Sequence, residues 1–485
     1  MKARHIAYCI WTVIALLGVI SWVVPDGGWH IGKHTLRWPT LAEALDLTNE
    51  GVKELTSEGV KDLTNEGVKD LTSEGVKDIT NDSLLAEIDT IGLIPADSVI
   101  QQDTLAVKDS VAQKSQPIIP KVNVANTDSR AYLAAFYAAL DSASSQSVRV
   151  VHYGDSQIEE DRITNVLRER WQKAYGGGGV GLIPLHQTIP TRTIRQWISM
   201  NDKVQTAQGG PKRYLVYGPR SMRLDNDDYG VMGQVAVMDS ALIHGSEDIV
   251  LNIEPIDKKR KSHNYFNRVR VISSGELTVD SLPLAEYIQL PDSTTHYQLH
   301  LQGKGRVYGV SLETPTGVIV DNIPMRGCSG NIFTKIDSTQ LSDFYRESNT
   351  RLIILQFGGN MIPQTENPST ISGYVRSTLR QQVRYLRACA PEASILFIGP
   401  SDMSTNIDGQ MTTYPLVPYM DKLLKKMAAE EQIAYWSMYD AMGGKDSMVR
   451  WVENGLAGSD YVHFTRAGAN NIGKKLYNWI EEGGR

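Results

Sequence analysis

Two short segments, far apart in the 485-residue chain, carry the residue types of a catalytic serine site. Ser156 follows Gly154-Asp155 directly after an apolar run, and Asp460 and His463 lie three residues apart before the last predicted helix. A carboxylate at that spacing can reach the imidazole Nδ1, which fixes the tautomer and leaves Nε2 to accept the serine proton. The pattern predicts a nucleophile at Ser156, a general base at His463 and an orienting carboxylate at Asp460.

Ser156 lies where a predicted strand meets a predicted helix. Ser147 to Gly154 is a short β-branched run, typical of a buried strand, and residues 159–174 have apolar side chains at helical spacing. Ligands bind in the crevice at the carboxyl ends of parallel strands, and a helix N-terminus offers free N–H groups. A serine at this junction can attack a carbonyl and have the oxyanion stabilised by its own backbone amide.

Two further loops complete a pattern of four blocks in a fixed order. Gly327-Cys328-Ser329-Gly330 comes first, and Gly358-Gly359-Asn360 directly follows the apolar run at 351–357. Together with Gly154-Asp155-Ser156 and Asp460-x-x-His463, these loops resemble the sequence blocks of the SGNH (GDSL-type) hydrolase family. The resemblance is confined to the α/β part of the chain.

The resemblance assigns roles to individual residues. It implies an oxyanion hole made of the backbone N–H groups of Ser156 and Gly330 and the side-chain amide of Asn360. Two positions depart from the family pattern. Gln157 stands where Leu is usual, which we expect to be harmless, and Met361 follows Asn360 where Asp is common, which leaves the support of that loop in doubt. The resemblance implies no cofactor and no metal.

One glycine-rich segment has the spacing of a dinucleotide-binding motif. Gly176 to Gly181 satisfies G-x-G-x-x-G, but it follows a predicted helix, whereas a dinucleotide-binding fingerprint follows a strand. We expect a flexible loop near the site that shapes the acyl pocket.

The predicted elements divide the folded part into two regions. Strands alternating with helices at 126–189 and 318–485 predict a three-layer α/β/α catalytic domain around a parallel sheet. Residues 190–317 contain short alternating runs separated by turns, typical of an inserted all-β, sandwich-like domain. The basic run Lys258 to Lys261 lies in that region, where a solvated hairpin tip is the expected interpretation and contact with an anionic glycan the alternative.

An SGNH-like core with an inserted β-domain resembles peptidoglycan O-acetylesterases and related envelope carbohydrate esterases. The resemblance implies a serine esterase that removes O-acetyl groups from an acylated polysaccharide. Two alternatives stay open: an O-acyltransferase that uses the same triad, and a membrane-tethered glycan-binding protein with an inactive core. A net charge of −6 argues against a nucleic-acid partner.

The N-terminal quarter of the chain predicts export. Residues 1–25 include an uncharged apolar run at 6–25 preceded by Lys2 and Arg4, which favours a single-pass signal anchor with a cytoplasmic N-terminus over a cleaved signal peptide. Residues 26–125 are expected to form a spacer with octapeptide repeats at 47–82, and the segment from Asp46 to Asp82 holds ten acidic residues and four Lys. The family resemblance implies a bacterial inner membrane with the catalytic domain in the periplasm.

Overall fold

The computed structural model describes residues 29–31, 34–36 and 128–483, the last range with gaps at 201–202, 205–209, 243–246, 258, 260 and 285. The expected anchor at 1–25 and the repeats at 47–82 therefore lie outside the described residues. In a first unit, residues 1–95, strands β1 (Trp29–Ile31) and β2 (His34–Leu36) pair antiparallel. None of the helices in the described ranges has the length and apolar character needed to cross a membrane.

The second unit contains seventeen strands and nine α-helices among its described residues. Its strands, in chain order, are β3 (Ser147–Gly154), β4 (Gly181–Ile183), β5 (Ile194–Met200), β6 (Lys203–Val204), β7 (Lys212–Leu215), β8 (Gln234–Met238), β9 (Asp248–Pro255), β10 (Phe266–Val279), β11 (Leu282–Pro283), β12 (Ile288–Thr294), β13 (Tyr297–Glu313), β14 (Gly317–Pro324), β15 (Thr350–Gln356), β16 (Ser394–Ile398), β17 (Ser404–Ile407), β18 (Gln410–Thr413) and β19 (Ala434–Trp436). Its helices are α1 (Ala134–Leu140), α2 (Thr164–Tyr175), α3 (Ser338–Glu347), α4 (Pro368–Gly373), α5 (Arg380–Cys389), α6 (Val417–Glu430), α7 (Met438–Met442), α8 (Ser447–Glu453) and α9 (Arg466–Gly483).

Five of the strands form a parallel sheet in the order β14-β3-β15-β16-β19. Numbered by their sequence order within the sheet, these strands run 2-1-3-4-5, so the order reverses between β3 and β15. In such doubly wound sheets the ligand crevice lies outside the carboxyl ends of the strands at the reversal point. The fold therefore places the candidate site beyond the ends of β3 and β15.

Alternating apolar side chains bury both faces of this sheet. On β3, Val148 and Val150 face a cluster with helices α1, α2, α7, α8 and α9. Val151 and Tyr153, on the opposite face, pack in a cluster with helices α3 to α6. Burial on both faces explains why these strands are continuous apolar runs, and the three-layer α/β/α core matches the expectation from the sequence.

The strands β4 to β13 form a separate β-rich region, whereas β17 and β18 pair with each other as a two-stranded sheet. Hydrogen bonds join the ten strands β4 to β13 in one sheet instead of two separate sheets, and its first strand starts at Gly181, before the boundary expected at residue 190. The long strand β13 pairs with β10 along one edge and with β9, β8 and β4 in succession along the other. The sheet has its own apolar cluster, which includes Leu251, Val269 and Leu299.

A buried charge network joins the β-rich region to the parallel sheet. Arg149 of β3 binds both Asp321 of β14, at 2.7 and 2.9 Å, and Glu313 at the end of β13. Asp321 also accepts a hydrogen bond of 2.8 Å from the backbone N–H of Leu182 in β4. All three charged side chains are buried, so each depends on the others for compensation of its charge.

The glycine-rich segment after α2 does not line the candidate site, which corrects the sequence-based expectation. A Cβ on Gly177 would come within 2.6 Å of the Val318 carbonyl oxygen, and one on Gly179 within 2.1 Å of the Leu312 carbonyl oxygen. Both residues have positive φ angles, 108° and 78°. The glycines are needed because this segment passes close to β13 and β14 and turns sharply there.

Candidate active site

The turn that carries Ser156 is built by its neighbours on both sides. Strand β3 ends at Gly154, and the Asp155 side chain accepts a hydrogen bond of 3.0 Å from the Gln157 backbone N–H, capping a short 3₁₀ turn over Ser156–Asp161. The Asp155 backbone N–H in turn donates to the carbonyl of Gln356, the last residue of β15. Ser156 is therefore held, half-buried, at the strand end where the order of the sheet reverses.

The structure brings Ser156, His463 and Asp460 together. Ser156 Oγ lies 2.8 Å from His463 Nε2. His463 Nδ1 lies 2.7 Å from Asp460 Oδ2 on the other side of the imidazole ring. A neutral imidazole that donates from Nδ1 to the carboxylate has a free lone pair on Nε2, directed at the serine hydroxyl.

Backbone hydrogen bonds hold Asp460 in its ionised form. Its Oδ1 accepts from the backbone N–H groups of Val462, at 2.9 Å, and His463, at 3.0 Å. Burial raises the pKa of Asp460, but the hydrogen bonds from the His463 side chain and from these two amides outweigh it and lower the pKa below its ordinary value. The loop thus presents a carboxylate to the imidazole at neutral pH.

Gly330 and Asn360, the other predicted site residues, lie in the loops that follow β14 and β15. Asn360 Nδ2 donates to Asp155 Oδ2 and to the Cys328 carbonyl oxygen, both at 3.1 Å. The Gly330 backbone N–H donates to Cys328 Sγ at 3.3 Å. The structure thus links Asn360 to the residue next to Ser156 and to the Gly330 loop, although its amide and that of Gly330 both donate to protein groups.

Asp155 is the buried centre of these contacts. It receives the hydrogen bond from Asn360 and caps the Ser156 turn with its other oxygen. Desolvation by burial raises the pKa of Asp155 to about 6, although hydrogen bonds from the backbone and the charge of His463 oppose the shift. Asp155 thus supports both the Ser156 turn and the Asn360 loop.

A small cavity of about 30 Å³ adjoins Ser156. Asn360, Ser401 and Val462 contribute to its wall, and Phe357 and Met403 give it apolar surface. Its volume is sufficient for one or two water molecules or a methyl-sized group. None of the residues 176–181 lines it.

Part of the chain also matches a known protein-family model. Residues 292–470 match the model of the GDSL-like lipase/acylhydrolase family. This stretch is a GDSL-like domain. It contains Gly330, Asn360, Asp460 and His463, and it starts in β12 of the β-rich region. Ser156 lies outside the matched stretch and joins it only in the folded structure. The family and the fold together identify the chain as a hydrolase.

Solved structures agree with this fold. A peptidoglycan O-acetylesterase is similar over 73% of this chain and 98% of its own, with 20% identity and a TM-score of 0.56. At that identity the likeness shows the fold alone. An acetyl xylan esterase matches at 12% identity and TM-score 0.26, over 33% of this chain and 80% of its own. The latter similarity is too slight to bear on the fold. No curated protein sequence matches the chain.

Gln157, which stands where Leu is usual in the family, makes two hydrogen bonds at the site. Its Nε2 donates to the Val462 carbonyl oxygen at 2.7 Å and to Ser401 Oγ at 3.3 Å. The side chain thus ties the Ser156 turn to the loop that carries His463. The family pattern concealed this role, because a Leu cannot donate a hydrogen bond.

An acidic triplet after Ser156 is a second feature that the sequence analysis missed. Glu159 receives two hydrogen bonds from Arg326 of the Gly330 loop, at 2.8 and 2.7 Å. The next two residues, Glu160 and Asp161, have left-handed φ angles of 58° and 61°. Such conformations are costly for side chains other than glycine and persist where surrounding contacts impose them. The sequence signal that could have indicated this feature was the run of three acidic residues after Ser156, together with arginines elsewhere in the chain that could pair with them.

Proposed function

We propose that this chain is a serine esterase that removes O-acetyl groups from a polysaccharide, with Ser156, His463 and Asp460 as its triad. The observation that carries the proposal is the unbroken line of contacts from Ser156 Oγ to His463 Nε2, 2.8 Å, and from His463 Nδ1 to Asp460 Oδ2, 2.7 Å. These distances are within the range in which a base takes a proton directly from its nucleophile.

The first half-reaction forms an acyl-enzyme. Ser156 Oγ attacks the ester carbonyl carbon while its proton passes to His463 Nε2, and the carbonyl oxygen becomes an oxyanion. The tetrahedral intermediate then collapses: the bond to the sugar oxygen breaks, and that oxygen takes the proton from Nε2. Asp460 stabilises the imidazolium that exists between the two proton transfers.

The oxyanion is assigned to the backbone N–H groups of Ser156 and Gly330 and to the Asn360 side chain. Each preorganised donor of this kind stabilises a transition state by about 3 kcal/mol. Asn360 and Gly330 donate to Cys328 in the described structure, so an oxyanion would compete with the Cys328 carbonyl and thiol for these hydrogens. Both Cys328 acceptors are uncharged, which favours the charged oxyanion in that competition.

The second half-reaction releases acetate. Water gives a proton to His463 Nε2 and attacks the acyl carbon, and the bond to Ser156 Oγ breaks as the serine recovers the proton. The enzyme returns to its starting state without any cofactor in this scheme.

Two features favour a small acyl group on a large alcohol. The cavity of about 30 Å³ beside Ser156 suits an acetyl methyl and is too small to enclose a fatty acyl chain. The β-rich region is fixed to the α/β core through the buried Arg149 network, and Arg192, between β4 and β5, binds Glu160 of the Ser156 turn at 2.9 and 3.0 Å. The structurally similar peptidoglycan O-acetylesterase supports a glycan as the alcohol.

The reaction is proposed to take place outside the cytoplasm of a bacterial cell. This part of the proposal depends on the uncharged run at 6–25 and the preceding Lys2 and Arg4, which favour a single-pass anchor in the inner membrane and a periplasmic catalytic domain. Protease protection of the full-length chain in spheroplasts tests it. Cleavage of residues 128–483 by external protease is expected, and protection would reject the orientation.

The catalytic proposal is tested with the purified full-length chain and p-nitrophenyl acetate. Ser156→Ala is expected to lower kcat by about 10⁴-fold or more, because the acyl-enzyme can no longer form. Ser401→Ala is the matched control, since this serine lines the same cavity but its hydroxyl only accepts from Gln157. Equal rates for wild type and Ser156→Ala would overturn the triad assignment.

The same protein separates hydrolysis from transfer. An O-acetylated polysaccharide is incubated with and without a de-acetylated oligosaccharide acceptor, and free acetate and acetylated acceptor are measured. An esterase releases acetate at the same rate in both reactions, because water is the acceptor. Acetate that appears on the oligosaccharide at the expense of free acetate would identify an acyltransferase.

A further inference from the structure

A large groove on the α2 and α9 side of the molecule has a strongly basic lining. Its volume is about 770 Å³, and seven Lys and Arg side chains line it against two carboxylates, Glu169 and Asp257. The whole chain, by contrast, has a net charge of −6. We call this feature the basic groove. A concentration of positive charge in an acidic protein attracts anionic ligands to that one surface.

Three of these cations form no ion pair with any residue that the structure describes. Lys173 of α2 and Arg466 and Lys474 of α9 line the groove and are exposed. Among the residues that the structure describes, no carboxylate lies within 4.0 Å of these three side chains. Their charge is therefore available to a ligand instead of being used in an ion pair.

The inner end of the groove is also incompletely neutralised. Arg162 and Arg192 share one carboxylate, Glu160, at 3.1 and 2.9 Å. Burial lowers the pKa of Arg192, Glu160 opposes the shift, and repulsion from Arg162 and Arg466 adds to it. The three guanidinium groups are thus close enough to repel one another, and an anion bound between them would reduce that repulsion.

The basic groove begins beside the loop that carries His463. Arg162 follows Ser156 by six residues and donates to the Phe464 carbonyl oxygen at 3.5 Å. Arg466 comes three residues after His463, at the first position of α9. A polymer that presents one ester to Ser156 therefore has the groove next to it for its neighbouring units.

The lining suits an anionic sugar chain better than a nucleic acid. Asn165 and Asn470 offer amides that hydrogen-bond hydroxyl groups, and the Tyr477 ring lies beneath the Arg170 guanidinium at 5.1 Å. A nucleic-acid binder would be expected to have an overall basic surplus, which this chain lacks. Lys261, from the basic run in the β-rich region, completes the rim and is weakly paired with Asp257 at 3.7 Å.

We propose that the basic groove binds carboxylate-bearing sugar units of the polysaccharide whose ester lies at Ser156, which makes the substrate an anionic glycan. This inference rests on the proposed esterase function for its meaning, but the groove's affinity for a polyanion does not require catalysis. The two statements can therefore fail separately.

The test compares two double charge reversals in the full-length protein. Lys173→Glu with Lys474→Glu reverses two exposed cations of the groove. Lys422→Glu with Lys426→Glu, on α6 at the opposite face of the sheet, makes the same change in net charge away from the groove. Binding is measured by retardation in gels that contain polygalacturonate or neutral dextran, and by acetate release from the acetylated form of each polymer.

Wild type and the α6 variant are expected to be retarded by polygalacturonate but not by dextran, with retardation that weakens as salt increases. The groove variant should lose about tenfold or more in affinity and in kcat/KM on acetylated polygalacturonate. Its hydrolysis of p-nitrophenyl acetate should be unchanged. Equal polygalacturonate affinity of the groove variant and wild type would overturn the groove assignment even if esterase activity is present.

Two further outcomes are decisive. Binding to polygalacturonate that depends on the groove, in a protein without esterase activity, would uphold the groove and reject the catalytic proposal. Retardation by double-stranded DNA at least as strong as by polygalacturonate at the same salt concentration would reject an anionic glycan as the ligand.

Discussion

The two segments that form the candidate triad are held in different ways. The Ser156 turn is enclosed by buried residues, and Asp155, Gln157 and Glu159 connect it to the neighbouring loops. The loop with Asp460 and His463 is more open: the two side chains are 39% and 24% exposed, and the bonds around Asp460 are local. The nucleophile is thus positioned by the core, whereas the base is positioned by short-range contacts and depends more on each one.

The largest expected effect comes from removal of the base itself. His463→Ala should lower kcat on p-nitrophenyl acetate by about 10⁴-fold, and Asp460→Asn by about 10³-fold or more, because the amide no longer favours the required imidazole tautomer. His186→Ala is the control, since His186 is outside the site. Rates within tenfold of wild type for His463→Ala would show that another group is the base.

The imidazole of His152 is fully buried, in contrast to that of His463. His152 of β3 contacts Thr164 Oγ1 at 2.9 Å and Gln356 Oε1 at 3.2 Å. Burial lowers its pKa from 6.5 to about 3, so between these values the unfolded state binds the proton and the native state does not. Stability from this group is present above pH 6.5 and is lost as the pH falls.

Chemical denaturation checks this difference. From pH 6.5 to pH 4 the free energy of unfolding of wild type should fall by about 3 kcal/mol more than that of His152→Gln. The other titrating groups are common to both proteins and cancel in the comparison. Parallel pH profiles would mean that His152 is not a buried neutral imidazole in the native protein.

The smallest effect is expected at the hydrogen bond that the Gln157 side chain, in the Ser156 turn, donates to the His463 loop. Gln157→Leu installs the residue usual in the family and removes the 2.7 Å bond to the Val462 carbonyl. A hydrogen bond of this kind contributes about 1 kcal/mol, so kcat should fall about fivefold with little change in KM. Gln146→Leu, at an exposed glutamine just before β3 whose Nε2 donates to Ser142 Oγ, is the matched control. An unchanged kcat for Gln157→Leu would restore the simpler view that this position is neutral.

The sequence was sufficient for the parts of the fold that follow local pattern. The sequence predicted a strand from the β-branched run at 147–154, where the structure has β3 at Ser147–Gly154, and a helix at 159–174, where it has α2 at Thr164–Tyr175. It also predicted the last helix, which spans Arg466–Gly483. Each of these elements is buried in a periodic way that its own residues reveal.

The local sequence pattern could not predict contacts between distant segments. Nothing in the spacing of Glu159 and Arg326, or of Gln157 and Val462, indicates that they meet, because such pairs exist only once the sheet order is set. The glycine segment at 176–181 was misplaced for the same reason: its tight partners, Val318 and Leu312, come from strands more than a hundred residues later. The triad was easier, since a known family pattern supplied the pairing.

The junction at the end of β13 limits how this protein can be divided for engineering. Only three residues separate Glu313 from Gly317, the first residue of β14, and the Glu313 carboxylate shares Arg149 with Asp321. A truncated chain without the β-rich strands would leave Arg149 with one buried counter-ion, and in the isolated strands the buried Glu313 would keep only Arg268, at 3.0 Å, as its partner. The β-rich region therefore cannot be moved to another hydrolase unless the junction between β13 and β14 is redesigned.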